Sequence, residues 1–258
     1  MAVRAARNAA AVIQDAARDL ARLPTSSKQH ADIGSAAGGE STSAIVTTLA
    51  TAFPDHAILG EDGAALGPSN PDSTWRWIVH PLVGSANFLH GYPYYAISIA
   101  LTHGSELTHA VVLDPIRDEL FSAIKGRGAL LNGVALRVSG CTALENALVG
   151  TVFPARTSLG IPNYLPLFDA LITRCGGIRR AGACALDLAY VAAGRLDAFW
   201  ALGRKTRDLA AGALLVREAG GRVGNFAGGT DCLRGEEVIA AAPGVFNALR
   251  EAIGAALA

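Results

Sequence analysis

A mixed α and β protein built in layers is the fold class the sequence predicts, on three observations. A hydrophobic content of 51%, with 22 basic against 22 acidic residues, describes an ordered globular chain rather than a disordered one. Short apolar runs with strand-like alternation dominate from about 56 to 140. Beyond them, runs of strand length alternate with helical patterns, as βα units packed in layers do. The 258 residues suffice for one large unit or two closely packed lobes. The change of pattern puts the lobes at 1–140 and 141–258.

Taken in order, residues 3–22 carry charges every three or four positions and predict an amphipathic helix, without the continuous apolar core of a signal peptide. The polar, Gly- and Ser-containing segment "PTSSKQHADIGSAAGGESTSA" leads into a second helix expected over roughly 40–52. "HAILGED" (56–62) is a short strand ending in two acids, and "TWRWIVH" (74–80) alternates before running into a core. "YAISIALTH" and "LTHAVVLDPI" read as paired strands that "ELFSAIKGRGALLNG" continues as a meander. The second half then reads "ALVGTVFP" strand, "LPLFDALITRC" helix, "IRRAG" strand and "CALDLAYVAAG" helix. "LDAFWAL" strand, "TRDLAAGALLVREAG" helix ending at Gly220-Gly221, and "GRVGNF" strand follow.

Several classes are set aside. Balanced charge and the lack of a basic patch or aromatic platform argue against a nucleic-acid partner. No apolar run approaches the ~20 residues of a membrane span, so a soluble, cytoplasmic protein is expected. Cys141, Cys175, Cys184 and Cys232 lack the C-x-x-C spacing of a zinc site and read as small hydrophobes in a reducing compartment. Arg195 and Asp197 are expected to pair across a turn.

Four ordered blocks carry a resemblance over almost the whole chain. They are "ILGED" (58–62), "WIVHPLVGSANFLHGYPYYAISIAL" (77–101), "DPIRDELFSAIKGRGALLNGVALRVS" (114–139), and "RRAGACALDLAYVAAGRLDAFW" (179–200) followed by "RDLAAGALLVREAGG" (207–221). They resemble the inositol monophosphatase family of magnesium-dependent sugar-phosphate phosphatases. The resemblance implies an α+β fold, a layered α-β-α-β-α sandwich, and a homodimer.

It also implies site roles. The family's loop Glu corresponds to Glu61, with Asp62 as an outer helper. The two aspartates of its Asp-Pro-x-Asp motif correspond to His80 and Val83, and the backbone carbonyl ligand between them to Leu82. The Thr that helps orient water corresponds to Ser85 and the C-terminal Asp to Asp208, preceded by Arg207 where the family has Trp. Upstream, "DIGSAAG" keeps Asp32 and Ser35 but has Gly38 in place of a final Asp. Gly84, Ser85, Ala183, Asp187 and Ala201 fall on substrate-side positions, Ala201 replacing a sugar-contacting Glu.

Charge decides what these departures mean. Two Mg²⁺ ions ask for a set of hard oxygen ligands. Here an imidazole, a hydrocarbon and a glycine stand where three carboxylates belong, and an ion against Val83 would meet about several kcal/mol of uncompensated desolvation. The expectation is therefore impaired or lost Mg²⁺-dependent hydrolysis, with a role in binding a phosphorylated polyol or sugar, or a protein partner. The alternative is a weak phosphomonoesterase with one divalent ion held by Glu61, His80, Leu82 and Asp208, a donor set better suited to Mn²⁺, Fe²⁺ or Zn²⁺. Two further readings stay open: His80 as a space-filling hydrogen-bonding residue, and Arg207 as a cation that neutralises the pocket by pairing with Asp208 or Glu61. Gly84 and Ser85 form either an anion-holding helix start or an ordinary turn.

Overall fold

The computed structural model describes residues 1–22, 28–60, 63–67, 70–154, 160–230, 233 and 237–257, with the side chains at 30 and 31 excluded. Glu61, Asp62 and Cys232 lie outside the described residues.

Two sheets and their helices stack in five layers. The first sheet has seven strands in sequential order: β1 (Ala57–Leu59), β2 (Trp75–Val83), β3 (Ala96–His103), β4 (Glu106–Asp114), β5 (Glu119–Ile124), β6 (Ala129–Leu131) and β7 (Val134–Ala135). All its neighbours pair antiparallel except β1 with β2. Helices α1 (Ala2–Leu20) and α2 (Lys28–Ala52) cover one face, where Ile13, Ile45 and Leu49 meet Val79, Ile97, Ile99 and Val111. The strand period of two sends the alternate residues Ala96, Ala100, Ala110 and Val112 to the opposite face. There they pack on α5 (Cys184–Ala192) and α6 (Thr206–Glu218).

The second sheet lies on the far side of α5 and α6, in the order β11-β12-β10-β8-β9. Its strands are β8 (Leu148–Val152), β9 (Gly177–Arg179), β10 (Ala198–Leu202), β11 (Arg222–Gly224) and β12 (Glu237–Ala241). Its outer face carries Val149, Trp200 and Ile239 against α4 (Gly160–Ile172) and α7 (Pro243–Leu257). This is the α-β-α-β-α sandwich that the resemblance implies. The α7 helix, β12 and the short β7 add to the elements expected from sequence.

Small residues let the middle layer close. A Cβ on Gly212 of α6 would stand 2.4 Å from Leu188 Cβ of α5, so the two helices touch backbone to side chain at that point. One turn before it, α6 carries Asp208.

Two expectations are corrected. The second helix begins at Lys28, not near 40, which makes "DIGSAAG" helical. Its Gly and Ser content argues against a helix in isolation, but tertiary contact overrides propensity. A Cβ on Gly34 would fall 2.1 Å from Leu89 of the neighbouring segment, and Ala37, Ile45 and Leu49 are buried against the first sheet and α1. Nor does Arg195 pair with Asp197. Its guanidinium grips Glu119 of β5 through two bonds of 2.6 Å, while Asp197 accepts from Ser139 Oγ at 2.5 Å and Leu148 N–H at 2.6 Å. Both residues join distant elements rather than closing a local turn.

Candidate functional site

The site begins with an irregularity in β2. Pairing with β3 is regular from Trp75 opposite His103 to His80 opposite Ser98, then shifts before Val83 meets Ala96. Residues 81–83 oppose only two partners, so the strand bulges at Pro81, which has no N–H to offer a ladder. Ser41 Oγ of α2 donates to the Pro81 carbonyl at 3.1 Å and holds the bulge. Beyond it Gly84 adopts φ 84°, and a Cβ there would stand 3.0 Å from the Tyr94 carbonyl oxygen and 3.2 Å from Ala183 Cβ. Only glycine fits that turn. It starts the short helix α3 (Ser85–Leu89), whose Asn87 Nδ2 donates to the carbonyls of Tyr94 at 2.7 Å and Ala181 at 2.8 Å.

The first turn of α6 arrives from the other side. Asp208 Oδ2 accepts the Lys205 N–H at 3.3 Å, which caps the helix and places the acid at its positive end. Asp208 Oδ1 lies 3.0 Å from His80 Nδ1 and 3.9 Å from Arg207 Nε. The first distance is within hydrogen-bond reach, but the contact lacks the geometry of a well-formed hydrogen bond. Side-chain exposures of 18%, 13% and 17% for His80, Asp208 and Arg207 make this a largely desolvated cluster. Burial pushes the Asp208 carboxyl up; His80 and the guanidiniums of Arg204 and Arg207 more than offset it and hold the group below the usual carboxylate range.

His80, Arg207, Leu82 and Ser85 line a cavity of about 430 Å³ whose opposite wall is the Ser35, Gly38 and Thr42 face of α2. A Cβ on Gly38 would meet nothing within 4 Å, so the glycine leaves open space where a side chain would fit. Val83, 3% exposed, turns away into the middle core. Thus His80, Leu82, Ser85, Gly38 and Asp208 gather around one region, and Arg207 joins them.

The substrate-side residues divide. Ser85 lines the cavity and Gly84 immediately precedes it. Ala183 and Ala201 are fully buried and present no side chain to a solute. Asp187, 1% exposed, accepts the Tyr94 hydroxyl at 2.7 Å on Oδ1, while Oδ2 has no hydrogen-bond partner. Burial raises its pKa to about 7, against the pull of Tyr94 and Arg180. Tyr94, Thr42 and Arg204 were not singled out from sequence. Arg204 had a signal in the cation-dense "GRKTRD" (203–208), whereas Tyr94 and Thr42 reach their places only through folding.

The sequence profile of the inositol monophosphatase family matches residues 1–256. The chain belongs to the inositol monophosphatase family. Within that family it is 46% identical over 251 residues to the Nus factor SuhB of Pseudomonas aeruginosa, covering 96% of this chain and 93% of that protein. It is 37% identical over 249 residues to the Escherichia coli Nus factor SuhB, with coverages of 96% and 92%. Among solved inositol monophosphatase folds, the extragenic suppressor protein suhB of Bartonella henselae superposes with a TM-score of 0.87 at 37% identity, over 98% of this chain and 97% of that one. The inositol monophosphatase of Anabaena (Nostoc) superposes at 0.85 with 30% identity, covering 98% and 94%.

Proposed function

We propose that this member of the inositol monophosphatase family acts by binding rather than by paired-Mg²⁺ hydrolysis, and that its partner is a protein, as the name Nus factor implies for its relatives. The observation that carries this reading is the company Asp208 keeps. Its Oδ1 is approached by His80 at 3.0 Å and by the Arg207 guanidinium at 3.9 Å. A site for two dications needs converging anionic oxygens. Here the described donors do not fit that need: an imidazole, a carbonyl, a carboxylate already facing that imidazole and a guanidinium, a valine directed into the core and a glycine. No group of three or more His, Cys, Asp or Glu side chains gathers among the described residues.

The test is calorimetric titration with Mg²⁺, Mn²⁺ and Zn²⁺, followed by phosphate release from inositol 1-phosphate. We expect no tight Mg²⁺ binding and little release; tight binding with turnover in the ordinary enzymatic range of about 1–10³ s⁻¹ would overturn the reading. One observation favours the second reading, a weak phosphomonoesterase using a single ion. The cavity keeps Ser85, Thr42 and Leu82 on its walls, and the wall residue His80 reaches behind them to Asp208 at 3.0 Å, whose carboxyl is held below the usual carboxylate range. Release that rises with Mn²⁺ but not Mg²⁺ would select it.

The proposal includes a homodimer and a cytoplasmic setting. Among the described residues no helix is long and apolar enough to cross a membrane. The support for a dimer is an exposed apolar stripe on α4, Ile161, Leu165 and Ile172, beside exposed Phe153, whose ring meets Tyr164 edge-on at 5.3 Å. Leu165→Asp is expected to give a monomer in sedimentation analysis; an unchanged assembly places the interface elsewhere.

A further inference from the structure

We propose that Arg207 is the pocket's resident cation, holding with His80 the carboxylate that a divalent metal would otherwise take, so that Arg207 and metal compete for Asp208. The inference rests on the reading above that paired Mg²⁺ is not held here, and it supplies a physical reason for it.

The guanidinium has the properties the role requires. It is charged at every physiological pH and weakly hydrated, so it sits in a desolvated wall where Mg²⁺, which sheds water reluctantly, would be costly to place. Position matters as much as charge. Arg207 precedes Asp208 in the first turn of α6 and lines the cavity together with His80, the residue that approaches Asp208. Nε stands 3.9 Å from Oδ1, the oxygen that His80 Nδ1 also approaches at 3.0 Å. A metal ligated by that oxygen would lie within a few ångströms of a fixed positive charge, and like charges at that separation repel strongly away from bulk water. Arg204 adds further positive potential at the same carboxylate. The helix N-terminus, which disfavours a cation in any case, acts in the same direction.

Competition predicts that removing the guanidinium returns Asp208 to metal. The experiment compares wild type with Arg207→Gln, Arg207→Trp and Arg207→Lys by Mn²⁺ titration calorimetry and by melting in EDTA and in Mn²⁺. The Gln and Trp variants are expected to bind Mn²⁺ at least tenfold more tightly than wild type and to gain a Mn²⁺-dependent rise in Tm, whereas Lys, which keeps the charge, should remain close to wild type. The Trp variant keeps bulk in the wall in case Gln does not fold without metal; a Gln variant that folds only when Mn²⁺ is supplied counts in favour. Mn²⁺ affinities of the Gln and Trp variants no greater than wild type overturn the proposal, as does failure of both to fold even with metal. Phosphatase turnover by the wild type with Mg²⁺ would instead remove the earlier reading, whatever the variants do.

Discussion

Asp187 is a residue whose burial makes stability depend on pH within the neutral and mildly acidic range. Its pKa is raised to about 7 in the fold from 3.8, so between those values the folded state binds more protons than the unfolded chain. Stability from this group is therefore full below about pH 4 and falls as pH rises through about 7. Asp187→Asn removes that slope. We expect the variant to gain on the order of 2–4 kcal/mol relative to wild type between pH 5 and pH 8. Urea melts at both pH values measure it, and parallel shifts at the two would contradict the assignment. Gly84 makes the second residue-scale case. At φ 84°, with the Tyr94 carbonyl 3.0 Å from any Cβ, Gly84→Ala adds left-handed strain to a clash. We expect a loss of about 2–4 kcal/mol, read as a lower urea midpoint.

At the scale of elements, the α5–α6 contact sets how the two sheets are joined. An alanine in a helix interior ordinarily gains up to about 1 kcal/mol over glycine. Gly212→Ala should reverse that sign, because its Cβ would stand 2.4 Å from Leu188 Cβ in a layer with no room on either side. A net loss of about 1–3 kcal/mol is expected from overpacking; a stabilised variant in thermal melts would mean that the helices separate easily. The bulge at Pro81 belongs to the same scale. The extra residue brings His80 and Val83, three apart in sequence, onto the same face of the sheet, His80 at the cavity and Val83 in the middle core. This is why restoring only two of the carboxylates is a poor test of the site. His80→Asp with Val83→Asp puts a charge into the middle core, costing about several kcal/mol without metal. With Gly38→Asp as well, placed where a side chain has open space, the triple variant should gain Mg²⁺-dependent stabilisation in melting experiments.

For the whole molecule, the decisive feature is that the middle core draws on both halves of the chain. Val83, Ala96 and Phe121 share it with Leu186, Phe199 and Leu209. We expect one cooperative unfolding step. The tryptophans allow a direct check, since Trp77 belongs to the α1–α2 side of the first sheet and Trp200 to the α4–α7 side of the second. Urea curves followed by fluorescence in Trp200→Phe, which leaves Trp75 and Trp77, and in the double variant Trp75→Phe with Trp77→Phe, which leaves Trp200, should share a transition with circular dichroism; separate midpoints would show lobes that unfold on their own.

Much of this was legible beforehand because it is local. Strands such as "YAISIALTH" and helices such as "TRDLAAGALLVREAG" announce themselves by period, and the ordered motif blocks carry the family. What failed was also local in origin. The Gly- and Ser-rich start of α2 reads as loop by propensity, since nothing in residues 28–39 records the helices they pack against. Arg195 and Asp197, near in sequence, take partners 76 and 58 residues away, Glu119 and Ser139.

By itself, then, the sequence determined which side chains are present: a histidine, a valine and a glycine at three positions where the family resemblance implies acids, and an arginine ahead of Asp208. Only the tertiary structure decided that His80 and Arg207 converge on that one carboxylate, that Val83 turns into the core, and that Asp187 lies beneath the surface beside Tyr94. Identity is written residue by residue. Charge compensation depends on distance and desolvation, and both arise only when segments far apart in the chain are brought into contact.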